Sequence, residues 1–271
     1  MTIKSRESEN WNRIALKWPA KGYSNKLLAE HKRKTYLNLI ARWADIKEHQ
    51  VILKTDLFTE AFGQEQFLFD IPSAKNVIGI DVATEIVKRA KSQAELHGID
   101  SSQYFCGDVR KIPLQDNSVD IVISDSTLDH FSSEKDIITS LAEIGRVLRI
   151  GGILVLTMDN NHNFTYMPYF AVRLWMKLRM APYFIGKSLS ISQLKIILEG
   201  KGMHVEESTA IFHYPHPDLL VRWLERALSK LSANKLDHTI RKSLTWLDKL
   251  EGRKTKYLTG RYIAVKATKL K

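Results

Sequence analysis

Three short apolar runs lie between Gln103 and Asp159: Tyr104 to Phe105, Val119 to Ser124 and Ile153 to Met158. Each closes near an acid, Asp108, Asp125 or Asp159. Runs that are apolar throughout read as strands buried on both faces, and the polar residues at their ends read as ligand-binding loops. Between the second and third runs, Ile137, Leu141, Ile144 and Leu148 recur at helical spacing, and Gly151-Gly152 is expected to stop that helix before the next strand. Strand, helix, Gly-Gly, strand is a parallel crossover unit. Upstream, Gln50 to Leu57 and Asn76 to Val82 read as two further strands, followed by a helix that runs to Gly98 with Thr84 as its cap. Downstream, Ser188 to Gly202 reads as a capped helix and His204 to Pro217 as a strand with its exit loop. GRYIAVKATK reads as a last strand.

The flanking segments are helical in pattern. Residues 1–49 hold Trp11, Trp18, Tyr23, Tyr36 and Trp43, and suit one or two amphipathic helices forming an N-terminal cap. Met167, Phe170, Leu174, Trp175 and Leu178 make one stripe with Arg173 and Lys177 beside it. That stripe suits a lid, a surface touching lipid headgroups or plain core packing. In 218–250, Leu220, Trp223, Leu224, Leu228 and Leu231 share a stripe, flanked by Arg222, Arg226 and Lys230. A second helix carries Leu236, Ile240, Leu244 and Leu247. This hairpin can pack on the domain, form a homodimer or lie on an anionic membrane. The expected division is a cap at 1–49, an α/β domain at 50–217 and 251–271, and a helical insertion at 218–250.

The length of 271 residues suits one large α/β domain with additions. A charge of +11, from 41 basic and 30 acidic residues, changes the picture by raising anionic partners as candidates: nucleic acid, acidic lipid or a phosphorylated substrate. The surplus is spread along the chain with local density in His31-Lys32-Arg33-Lys34 and Arg253 to Lys256, and a solvated basic surface is the favoured reading. The single cysteine, Cys106, excludes an internal disulfide and a multi-cysteine zinc site, and is expected to pack as a small hydrophobe. No signal-like apolar core opens the chain, and no run approaches the roughly 20 apolar residues that span a bilayer. The expectation is a soluble cytoplasmic protein.

The stretch GDVRKIPLQDNSVDIVISDSTLDHF followed by EIGRVLRIGGILVLT, with VIGID upstream, resembles the class I S-adenosylmethionine (SAM)-dependent methyltransferases, in particular the group that modifies quinones and similar small molecules. The resemblance implies a doubly wound, seven-stranded, mostly parallel sheet in the order 3-2-1-4-5-7-6, a SAM cofactor and a small-molecule acceptor. It also implies roles for single residues. Asp81, with Val82 beside it, ends the second strand where the ribose hydroxyls are held; Asp108 and the Val109 amide meet the adenine; Ser124 and Asp125 lie in the loop that passes cofactor and acceptor. His130 matches a histidine able to take a proton from a hydroxyl acceptor.

The first loop departs from the family. The usual acid and three alternating glycines are replaced by LKTDLFTEAFG, with Lys54 at the acid's place and Asp56, Phe58 and Glu60 at the glycine places. Either the loop is remodelled, with Asp56 or Glu60 on the cofactor's ammonium, Thr55 supplying a hydroxyl and Phe58 packing on the ligand, or side chains close it and the protein is a scaffold that no longer binds SAM. An RNA methyltransferase stands third: the charge allows it, but no aromatic-plus-proline tetrapeptide, catalytic cysteine motif or appended RNA domain accompanies it. A Rossmann dehydrogenase is disfavoured by the missing G-x-G-x-x-G run. No metal site is expected. His213, Tyr214 and His216 follow a strand and so can reach an acceptor, but they lack a further ligand for a metal.

Overall fold

The apolar runs pair into one sheet. In the computed structural model, which describes residues 3–18, 25–63, 65–71, 76–165, 186–214 and 217–271, the strands are β1 (Val51–Lys54), β2 (Asn76–Asp81), β3 (Tyr104–Cys106), β4 (Val119–Asp125), β5 (Leu148–Asp159), β6 (Met203–His213) and β7 (Gly260–Lys269). Their order across the seven-stranded sheet is β3-β2-β1-β4-β5-β7-β6. β1 to β5 pair in parallel, and β7 runs antiparallel between β5 and β6. The expected fold class and strand order are both observed.

Helices cover both faces, because alternate side chains of the central strands leave in opposite directions. Ile52, Ile121 and Ile123 enter one core cluster with α2 (Lys26–Trp43), α3 (Phe58–Phe62) and α4 (Thr84–Leu96). Leu53 and Val122 enter the other, with α5 (Glu134–Val147) and α6 (Ile191–Gly200). A capping box of Ser190 and Gln193 starts α6. The N-terminal segment forms α1 (Ile3–Lys17) and α2, and the late segment forms α7 (Pro217–Ala227) and α8 (Ala233–Asp248). Val221 and Leu224 of α7, Ile240 and Leu244 of α8 and Leu27 and Leu28 of α2 share a third cluster. The hairpin is thus packed onto the cap helix. A short α9 (Lys256–Thr259) leads into β7. No helix among the described residues is long and apolar enough to cross a membrane. The expected stripe from Met167 to Leu178 lies outside the described residues, as does His216.

Four local expectations are corrected. The first strand ends at Lys54 rather than Leu57, because the chain turns into α3. Gly151-Gly152 does not stop α5: that helix ends at Val147 and both glycines lie inside β5. Gly151 has φ +78°, and a Cβ on Gly152 would come within 2.8 Å of the Arg149 carbonyl, so the pair serves a tight bend within the strand. Thr84 does not cap α4; the cap position is Ala83, whose amide is satisfied by Asp81. Cys106 is exposed, since only Tyr104 of the short β3 is fully covered.

Candidate cofactor and acceptor site

The parallel strands direct their carboxyl ends to one edge, and the site residues expected from sequence sit on or just after such an end, except Phe58 in α3 and His130 in the short turn that precedes α5. Asp81 closes β2 and is only 6% exposed. Its Oδ2 accepts from the Leu57 amide at 3.0 Å and its Oδ1 from the Ala83 amide at 2.8 Å. Burial pushes its pKa up to about 7, against the pull of those two amides. The raised value predicts a pH effect with a definite sign. Between the unfolded carboxyl's pKa and about 7, the unfolded chain is ionised while the folded site keeps its proton, so folding loses stability as pH rises. Relative to Asp81→Asn, the wild-type protein is expected to lose about 2 kcal/mol between pH 5 and 7, read from urea unfolding at the two pH values.

Lys54 dominates the end of β1. It is fully buried, and its ammonium lies 2.7 Å from Asp125, 3.0 Å from Glu60 and 3.5 Å from Asp56. It also donates to the Asp56 carbonyl at 2.9 Å, and stands 5.2 Å from the centre of the Phe67 ring. Burial alone would favour the neutral amine, but Asp125, Asp56 and Glu60 together hold Lys54 well above its ordinary pKa. Burial and the Asp56 charge push Asp125 up. For Asp56 burial is outweighed by Lys54 and by hydrogen bonds from Asp125 and Thr127, so it stays low. The two carboxyl groups are therefore pushed apart, Asp125 up and Asp56 down. Glu60 is fully buried and accepts from Thr59 at 2.9 Å.

A hydroxyl chain links this cluster to the next loop. Thr55 donates to Ser124 at 3.0 Å and stands 3.1 Å from Thr127, which donates to Asp56 at 2.9 Å. Ser126 follows β4 with φ +49°, an uncommon conformation for a side-chain-bearing residue. That bend lets its amide donate to Thr157 and its hydroxyl to Asp129 at 2.8 Å. Asp129 is buried and also accepts from the Asp159 amide at 2.7 Å, so it does not face water. Burial and the Asp129 charge push Asp159 up to about 6.

α1 lies across this edge. Its Ser8 donates to the Val82 carbonyl at 2.8 Å, and its Asn12 accepts from the Glu85 amide at 2.9 Å. Glu7 meets Arg110, which also pairs with Asp108 at 3.0 Å. Val109 is buried beside them. Trp11 packs edge-on against Phe58 at 5.9 Å and His130 at 4.9 Å, and Trp18 packs on Phe58 at 5.0 Å. His213 is buried, hydrogen-bonded to Thr259 at 2.9 Å, and held low by burial. A groove of about 510 Å³ lies elsewhere, lined by residues of α3 and α4 such as Phe62, Lys88 and Arg89.

Sequence reasoning located the edge but missed two of its parts, Lys54 as the hub and Asp129 as a buried acceptor. The signal for the first was present: a lysine inside an apolar strand, followed by acids two and six residues on, demands buried ion pairing. Asp129 gave no comparable signal, since its burial depends on the bend at Ser126.

The edge tests differently against the two halves of a nucleoside-bearing amino acid such as SAM. Asp81, Asp108 and Val109 suit a nucleoside: each carboxylate oxygen of Asp81 has a lone pair left for a hydroxyl proton. The place where related proteins approach the amino-acid half through glycine backbone is instead filled by Lys54 and its carboxylates.

Fold and edge together define an α/β protein with charged and polar residues gathered at the carboxyl ends of its parallel strands. Residues 61–156 match the Methyltransferase domain family, and this part of the chain is similar to class I SAM-dependent methyltransferases. The chain is 30% identical over 121 residues to the uncharacterized methyltransferase YcgJ of Bacillus subtilis, covering 44% of this chain and 45% of that protein. It is 33% identical over 107 residues to the malonyl-[acyl-carrier protein] O-methyltransferase of Yersinia pestis, covering 40% and 36%. The chain spans about half or less of the length of the curated relatives it matches. Among solved structures, geranyl diphosphate C-methyltransferase from Streptomyces coelicolor superposes with a TM-score of 0.57 at 12% identity, covering 87% of this chain and 78% of that one. At that identity the likeness is one of fold.

Proposed function

We propose that this protein transfers a methyl group from SAM to a small, partly apolar metabolite. The observation that carries the reading is Asp81, a buried carboxylate fixed at the end of β2 by two backbone amides. A group so directed accepts from a vicinal diol without reorganising. In this reading Asp81 and Val82 hold the ribose, Asp108 and Val109 meet the adenine, and Thr55, Asp56, Phe58, Ser124 and Asp125 border the rest of the cofactor. The bound cofactor supplies an already activated methyl group, so the chain's work is alignment and exclusion of water. Trp11 and Phe58 exclude water, and His130 stands against Trp11 where a proton from a hydroxyl acceptor can be taken.

A second reading has its own observation. The ion-paired cluster of Lys54, Asp56, Glu60 and Asp125 fills the first loop, which favours a methyltransferase-like scaffold that no longer binds SAM. Calorimetric titration of the folded protein with SAM and with its demethylated product separates the two. Micromolar binding is expected; no binding at millimolar SAM would put the scaffold first.

A further inference from the structure

The outward face of α7 carries a chemistry that the sheet edge does not use. Its inward residues Val221 and Leu224 are buried against α2 and α8. Leu219 and Trp223, one turn apart on the other side, are each 63% exposed. Arg222, Arg226 and Lys230 are exposed around them, and among the described residues none of the three meets a carboxylate in an ion pair. α8 adds Trp246, 58% exposed, with Lys242 and Lys249 exposed one turn to either side.

Both properties are concentrated here. Residues 217–256 hold ten basic against five acidic residues, net +5 of the chain's +11. They also hold four of the large apolar side chains that stand exposed, Leu219, Trp223, Leu231 and Trp246. Water-facing Trp and Leu ringed by long basic side chains is the composition of a helix that lies in a bilayer interface: the rings enter the headgroup region, and the cations stay at the phosphates. A nucleic acid would use the charge but gives Leu219 nothing to enter.

We propose that the outward face of α7 docks the protein on an anionic lipid bilayer. The apolar side chains supply insertion and Arg222, Arg226 and Lys230 supply the preference for negative headgroups. The site lies on the hairpin, away from the residues assigned to SAM, so it stands or falls independently of methyl transfer.

The test is co-sedimentation of the full chain with vesicles of phosphatidylcholine alone and of phosphatidylcholine mixed with phosphatidylglycerol. Binding to the mixed vesicles only is expected. The double substitution Arg222→Glu, Arg226→Glu should weaken it about tenfold or more, and Trp223→Ala should weaken it with the charges intact. Unfolding midpoints equal to wild type keep both variants interpretable, since all three side chains are exposed. Absence of vesicle binding by the folded protein, equal binding to neutral vesicles, or indifference to charge reversal overturns the proposal. A gel shift with bulk RNA that the same variants abolish, without vesicle binding, would assign the face to nucleic acid and overturn it too.

Discussion

Lys54→Met is expected to cost the fold about 3 to 5 kcal/mol near neutral pH, the scale for removing one partner from a buried ion cluster. The side chain is fully buried and reaches three carboxylates within 3.5 Å. Methionine fills much of the volume, so the loss reports the missing charge rather than a cavity. With the cation gone, Asp56 and Glu60 remain buried with no charge opposite them, and folding must either carry that desolvation or take up protons. The variant should therefore recover stability as pH falls, and adding Glu60→Gln should recover part of it at neutral pH. Urea unfolding of the single and double variants reads both effects. A silent Lys54→Met would mean that the cluster does not hold the first loop closed.

Asp81→Ala is expected to weaken SAM binding by about 1.5 to 3 kcal/mol, the scale for losing charge-assisted hydrogen bonds to a carboxylate. That corresponds to roughly 10- to 150-fold in the dissociation constant. The same substitution leaves the Leu57 and Ala83 amides without their acceptor, so its stability must be measured beside its affinity. Titration at a temperature where the variant is folded separates the two. Unchanged affinity would place the ribose elsewhere and remove the support on which the proposed function rests.

The fold was legible because its signals are local. Val119–Asp125 and Leu148–Asp159 are apolar runs with a periodic helix between them, and repeats of that unit leave few ways for seven strands to pair. Asp81 and Asp108 were legible for the same reason, being fixed to strand ends by their position in the sequence. The closure of the edge was not. It depends on where Lys54 points, on the left-handed bend at Ser126, and on Glu7, Ser8 and Asn12 reaching residues 73 to 103 positions away. Contacts of that separation leave no periodicity behind. Gly151-Gly152 misled because two adjacent glycines read as a helix stop, whereas the nearby Arg149 and Asp120 carbonyls require small residues there within a strand.

α1 meets the Val82 carbonyl, and through Arg110 it meets Asp108, two of the places assigned above to ribose and adenine. On that assignment the helix and the nucleoside are rivals for one surface, and their free energies of attachment are linked with negative sign. If the docked helix outweighs the released one by some factor, the apparent affinity for the nucleoside falls by that factor, and a bound nucleoside loosens the helix by the same amount. Residues 3–17 would then act as a tethered competitor, setting the SAM concentration at which the domain fills without touching the reacting atoms.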